Sequence, residues 1–258
     1  MAAGVPVDAD ASTLYDATTG GSLVAADGAV ARWEDKSGNA RHVTQSTGTF
    51  QPLRKTAIKN SRDVVRFDGA NDYMVAATAT DWAFLHESQS TTFIVFRAGD
   101  VADPETPYAL IGTSGSVLSP GGANFLHDTR SAASQNDSLR HVVGYGSPRT
   151  INDAQNTIPG NQYAIFSIVS KPSQATPADR SEMYVNGGAA VKGNTQTGTY
   201  GTGTPRHALT VGSVQDSSNI YASFLVGDIA EVLMFNSALS SANLGAVRGY
   251  LNTKWGIY

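Results

Sequence analysis

The sequence predicts an all-β fold: a two-sheet antiparallel β-sandwich (jelly roll) with a short C-terminal helix. Three observations lead there. Charged residues make up only 16% of the 258, against roughly 25% in ordinary globular chains. Glycine occurs 26 times among abundant Thr, Ser and Asn, a mixture suited to strands joined by turns. Short β-branched and aromatic runs recur along the whole length, each bounded by turn residues. No composition break or internal repeat marks a linker, so residues 1–258 are expected to form one domain.

The elements follow in order. Thr13 to Arg32 is turn-rich, punctuated by Gly20-Gly21 and Asp27-Gly28. Val64 to Phe67 reads as a strand closed by Asp68-Gly69, and Tyr73 to Ala77 as the next. Ser90 to Arg97 is a continuous β-branched and aromatic run, hence a buried central strand. Tyr108 to Gly112, Ala123 to His127 and Arg140 to Tyr145 follow; Gln162 to Ser170 is a second buried strand. Glu182 to Val185 precedes Asn186-Gly187, the strongest short hairpin signal in the chain. Residues 192–205, rich in Gly and Thr, read as a loop; Ala208 to Gly212 and Ser223 to Gly227 read as strands. The last strand, within the segment Val226 to Ser240, is apolar on both faces (Ile229, Val232 and Met234; Leu233 and Phe235) and should be sandwiched between two layers. Ser240 or Ser241 can cap the final helix, Leu244, Val247 and Leu251 form one apolar stripe, and Gly256 supplies the stop.

Several function classes are excluded or disfavoured. The net charge is −4 with no basic run, so a nucleic-acid footprint is absent. There are no cysteines, which removes disulfides, thiolate metal sites and a cysteine nucleophile. No stretch reaches the ~18 to 20 apolar residues of a spanning helix, so no membrane insertion is expected. The opening Met1-Ala-Ala-Gly-Val-Pro lacks the basic start and apolar core of a signal peptide. Gly112-Thr-Ser-Gly115 has the wrong spacing for a serine nucleophile elbow. The histidines, His42, His86, His127, His141 and His207, are scattered and form no zinc motif.

Four segments resemble one family, in the right order. Trp33-Glu-Asp-Lys-Ser-Gly-Asn39 with His42 and Gln45 is similar to its W-x-D-x-S-G-N-x-x-H-x-x-Q segment. Val65-Arg-Phe-Asp-Gly-Ala-Asn-Asp-Tyr73 resembles V-x-F-D-G-x-D-D-Y, and Glu182-Met-Tyr-Val-Asn-Gly187 resembles L-Y-V-N-G. Gly227-Asp-Ile-Ala-Glu231, continued to Trp255-Gly256, resembles G-x-I-A-E-V followed by Y-L-x-x-K-W-G. The family is that of laminin-G-like jelly rolls in the concanavalin A-like lectin and glucanase superfamily. The resemblance implies two sheets packed face to face, glycan binding on the concave face or its rim, and in many members a calcium ion.

Asp228 and Glu231 are three apart on a strand, so alternation is expected to put them on opposite faces, unable to share a glycosidic oxygen. Arg180-Ser-Glu182 and Lys254-Trp-Gly-Ile-Tyr258 echo polysaccharide lyases of the wider fold, but their Gln-x-His strand is missing. Calcium, which takes six to eight hard oxygens, is a candidate cofactor, with Asp68, Asn71, Asp72 and Asp228 as expected ligands; Asp35 to Asn39 is a second oxygen-rich turn. Glycan binding needs flat aromatic faces together with planar polar groups. His127, Asp128, Arg130, Asn136, Arg140, Tyr145 and Arg149 supply these in mid-chain, joined by Tyr200 and by Trp82, which sits in a turn-like region. The expected function is a non-catalytic, lectin-like carbohydrate-binding module, calcium-assisted or not, on an extracellular, cell-surface or virion-associated protein. Its expected partner is an oligo- or polysaccharide, and other domains of a larger protein are compatible partners. The alternatives are an adhesion module that binds protein, and a glycoside hydrolase or polysaccharide lyase.

Overall fold

The computed structural model describes residues 5–8, 14–15, 25–99, 107–114, 121–128, 138–145, 150–154, 160–192, 203–216, 218 and 220–258. The chain folds into two large antiparallel sheets. The first runs β15 (Val191–Lys192), β14 (Ser181–Val185), β13 (Tyr163–Ser170), β8 (Ser90–Ala98), β19 (Val226–Phe235), β6 (Arg62–Asp68), β5 (Leu53–Lys59), with β1 (Val5–Asp8) also on β19. The second runs β12 (Thr150–Ala154), β11 (Ser138–Tyr145), β10 (Gly121–Asp128), β9 (Tyr108–Gly112), β16 (Thr210–Val211), β7 (Met74–Ala76), β4 (Val43–Thr44), β3 (Arg32–Trp33), β2 (Leu14–Tyr15). A separate hairpin pairs β17 (Val214–Gln215) with β18 (Tyr221–Ala222).

Strand alternation sorts the apolar residues into layers. Val65, Phe67, Ile94, Phe96, Phe166, Ile229 and Met234 of the first sheet face Trp33, Val43, Met74, Leu110, Phe125 and Val143 of the second, and together form the main core. Burial of each large side chain contributes about 1.5–3 kcal/mol. Val64, Phe93, Val95, Ile165 and Leu233 point the other way, under helix α2 (Ser241–Trp255; α1 is the short Phe84–Glu87), which buries Leu244, Leu251 and Trp255 against them. The expectation that the last strand is covered on both faces is therefore met. So are the helix ends: Ser240 Oγ accepts from the Asn243 amide, and Gly256 adopts φ 61°. The turn between β5 and β6 completes the C-terminal cap, since Asn60 and Arg62 side chains both donate to the Lys254 carbonyl at 2.9 Å.

Gly245 and Gly249 lie inside α2, and a methyl group at either would meet nothing within 4 Å. Gly245→Ala and Gly249→Ala are expected to stabilise the fold by about 0.5–1 kcal/mol each, because alanine loses less chain entropy in a helix. Thermal unfolding of the single and double variants checks this; a lowered midpoint would contradict it.

One correction concerns Asp228 and Glu231. Asp228 pairs with Arg97 and Ile229 with Phe96, but Glu231 pairs with Val95, so Ala230 is an extra residue in β19. This bulge resets the alternation, and both acids lie on the outer face, under or beside α2. The bulge sits where the neighbour on the other edge changes: β6 pairs with residues 226–229 and β1 with residues 231–234. Gly227 is required just before it, since a Cβ there would lie 2.0 Å from the Arg97 carbonyl oxygen.

Candidate functional site

Both outer-face acids are fully engaged. Asp228 is completely buried and accepts from Arg66 (2.6 and 3.0 Å), Arg97 (2.9 Å) and the Tyr163 hydroxyl (2.5 Å). Burial alone would raise its pKa, but the bonds from Arg66, Arg97 and Tyr163 hold it below the usual carboxylate range. Burial and the neighbouring Asp228 charge push the Tyr163 phenol upward. Glu231 accepts from Trp255 Nε1 at 2.6 Å, pairs with Lys254 at 3.0 Å and lies 3.4 Å from the Tyr250 hydroxyl. The Lys254-Trp255-Gly256 ending thus anchors α2 to the sheet through Glu231. Neither carboxylate is presented to a substrate.

The first family-like segment is an internal clasp. The Asp35 carboxylate accepts from the Ser37 amide and hydroxyl, both 2.7 Å, and from the Arg41 amide at 3.0 Å. His42 Nδ1 accepts from the Asp35 amide. The Gln45 amide donates to the Tyr73 carbonyl at 3.2 Å and accepts from the Thr47 amide at 3.0 Å. Its consequence is to fix Tyr73.

Tyr73 lies between the Asp68–Asp72 turn and β7, at the edge of an open depression on the outer face of the second sheet. The hairpin β17–β18 crosses this face. Val214 packs there with Ala109, Leu126 and Val142, and the Ala109 amide donates to the Ser223 carbonyl. Asp216 closes the hairpin by accepting from the Ser218 and Ile220 amides at 2.7 and 2.9 Å. The hairpin therefore delivers Tyr221 onto Tyr73, with ring centroids 3.7 Å apart and planes at 21°. Phe50 extends the aromatic group, 5.8 Å from Tyr73. The depression, of about 280 Å³, is lined by Thr44, Gln45, Ser46, Tyr73, Val75, Ala76 and Tyr221. Burial, then the adjacent Tyr73, pushes the Tyr221 phenol up to about 12, so at neutral pH it keeps its proton for donation. An aromatic platform ringed by the Thr44, Ser46 and tyrosine hydroxyls can stack a sugar ring and bond its hydroxyls.

The mid-chain residues expected to bind ligand are divided by alternation. His127 faces the interior, edge-on to Phe96 at 5.7 Å, whereas Asp128 faces the opposite side and pairs with Arg140 at 3.1 Å. Asp128 and Arg140 are both buried. Trp82 differs from the expectation of an accessible ring: it is completely buried, with the Arg41 guanidinium 5.8 Å from its centroid. Tyr145 ends β11. Arg130, Asn136, Arg149 and Tyr200 lie outside the described residues. The sequence reading missed Tyr221; its signal was an aromatic residue two positions after the polar run Asp216-Ser-Ser-Asn219.

Three of the four expected calcium ligands share one turn. Asp68 accepts from the Ala70 and Asn71 amides, and Asp72 accepts from the Asp68 amide at 3.0 Å. Asp228 is not brought to them, because its oxygens face Arg66, Arg97 and Tyr163. Among the described residues no group of three or more His, Cys, Asp or Glu gathers as a metal site. Asp72 is buried, and burial plus the Asp68 charge raises its pKa from 3.8 to about 6. A cation between the two carboxylates would relieve that repulsion, with backbone carbonyls or water completing its shell.

No family model matches the chain, and no curated protein matches it. Solved structures do. The receptor-binding domain of the botulinum neurotoxin C/D mosaic serotype is similar at a TM-score of 0.59, with 12% identity over 96% of this chain and 51% of its own. The likeness is one of fold. A botulinum neurotoxin type C structure, from work on a cell entry dependent on two ganglioside molecules, gives a TM-score of 0.54 and 12% identity, with 96% and 51% coverage. The chain spans about half the length of these toxin structures. A Ruminococcus gnavus IT-sialidase CBM40 bound to α2,3-sialyllactose has 12% identity over 63% of this chain and 83% of its own, at a TM-score of 0.47. No helix among the described residues is long and apolar enough to cross a membrane.

Proposed function

We propose that the chain is a carbohydrate-binding module of laminin-G-like type that takes a sugar on Tyr221 and Tyr73. The stacked tyrosine pair in the open depression carries the reading. Support also comes from the sandwich architecture shared with the type C toxin, whose cell entry depends on two ganglioside molecules. The test is a glycan array run on the wild type and on Tyr221→Ala. Loss of the platform is expected to weaken binding at least about tenfold while the unfolding midpoint falls by only a few degrees. Binding to no glycan would sink the reading, as would an unchanged affinity in the variant.

Calcium belongs to the same proposal, at the Asp68–Asp72 turn next to Tyr73. The folded state holds the Asp72 proton up to about pH 6, while an ordinary aspartate releases it near 3.8. Stability is therefore lost as pH rises between these values and stays lost above. In EDTA at pH 7, Asp72→Asn is expected to stabilise the fold by about 1–2 kcal/mol. Added calcium should raise the wild-type midpoint at pH 7 and leave the variant unmoved. A wild type indifferent to calcium would remove the ion from the proposal.

A further inference from the structure

Among the described residues, one part of the outer face of the first sheet gathers more positive charge than its acids neutralise. Arg66 on β6 and Arg97 on β8 converge on Asp228, and Arg97 and Lys59, at the end of β5, both lie against the Tyr163 ring. The guanidinium of Arg97 and the ammonium of Lys59 lie 5.9 and 5.8 Å from the Tyr163 ring centroid. Asp228, wholly buried, offers one negative charge to the two arginines, and Lys59 adds a third cation at Tyr163, whose hydroxyl donates to Asp228. It takes Nε and one terminal nitrogen of Arg66, and Nε of Arg97; one terminal nitrogen of Arg97 goes to Asn161. The second terminal nitrogen of Arg66 and Lys59 Nζ bond no partner among the described residues, while Arg97 is also hydrogen-bonded to the Tyr163 side chain. The nearby Asp27 is already paired with Lys55. The arginine side chains remain 35% and 20% exposed, so the surplus charge is open to solvent.

We propose that Lys59, Arg66 and Arg97 form an oxyanion site for a carboxylate or sulfate group carried by a ligand. Asp228 and Tyr163 hold the two guanidinium planes in place, so little side-chain entropy remains to be lost on binding. Each guanidinium keeps N–H donors suited to an oxyanion, and Lys59 adds a point charge. The site lies on the opposite sheet from the tyrosine depression and does not depend on it.

The test follows the arginine Nε–H and backbone amide resonances by NMR. Sodium sulfate and sodium glucuronate are titrated at constant ionic strength, with chloride as the reference. Saturable shifts confined to Arg66, Arg97 and residues around Lys59 are expected, and they should persist in Tyr221→Ala. Response to sulfate alone assigns a sulfated ligand, and response to glucuronate alone a carboxylate-bearing one. Lys59→Glu is expected to weaken binding about tenfold or more, and Lys59→Gln about threefold, since Lys59 makes no ion pair among the described residues. No saturable shift with either anion, or equal binding by wild type and Lys59→Glu, would overturn the proposal.

Discussion

Replacing Asp228 by alanine is expected to cost about 3–5 kcal/mol of folding stability, the largest effect of any polar substitution in the described residues. The carboxylate is wholly buried and meets three donor side chains from three strands, β6, β8 and β13. Its removal leaves Arg66 and Arg97 facing each other over an apolar floor without a counter-charge. It also leaves the Tyr163 hydroxyl without its acceptor. Asp228→Asn keeps an acceptor but not the charge, and should fall between wild type and alanine. Urea unfolding of the two variants gives both values. A loss under about 1 kcal/mol for alanine would mean that the cluster is no more than a surface ion pair.

The second large effect comes from acid. His141 is fully buried between the sheets, stacked on Phe125 at 4.8 Å, with Nδ1 2.9 Å from the Ser181 hydroxyl across the sandwich. Burial pushes its pKa from 6.5 down to about 3. In that interval the unfolded chain binds a proton that the folded chain refuses. Stability is thus intact above about pH 6.5 and declines as pH falls, by about 1.4 kcal/mol per pH unit, until about pH 3. His141→Gln has no such proton to bind. Unfolding free energies of both proteins between pH 7 and about pH 4 should diverge with that slope; parallel profiles would show that the ring finds a way to charge in place.

Much of the sandwich is legible in the sequence because its central strands are written as apolar runs. β8, β13 and β19 are buried on both faces and announce themselves. β5 does not, since Leu53–Lys59 is a half-exposed strand at the end of the sheet order whose charged residues read as loop. The two-residue strands of the β17–β18 hairpin carry too little pattern to be seen. Ala230 hides the bulge, because an alanine in an apolar run breaks no visible period. The site was harder still. Tyr73 stood in a family-like segment, but Tyr221 reaches it only through a hairpin 148 positions further along, and pairing at such range leaves no local trace. Arg97 could have been found as the lone charge in the apolar strand β8, a pattern that asks for a buried counter-ion, whereas Arg66 is masked by the other charges of β6.

The placement of β19 bears on how the chain is made. Residues 226–235 lie between β8 on one side and β6 and β1 on the other. While the ribosome is still upstream of them, β6 and β8 have no shared neighbour, and their apolar surfaces wait uncovered. The joining of the β5–β6 pair to the β8–β13–β14–β15 part of the first sheet is consequently a late event in synthesis, and a nascent chain halted before residue 226 is a natural client for a chaperone.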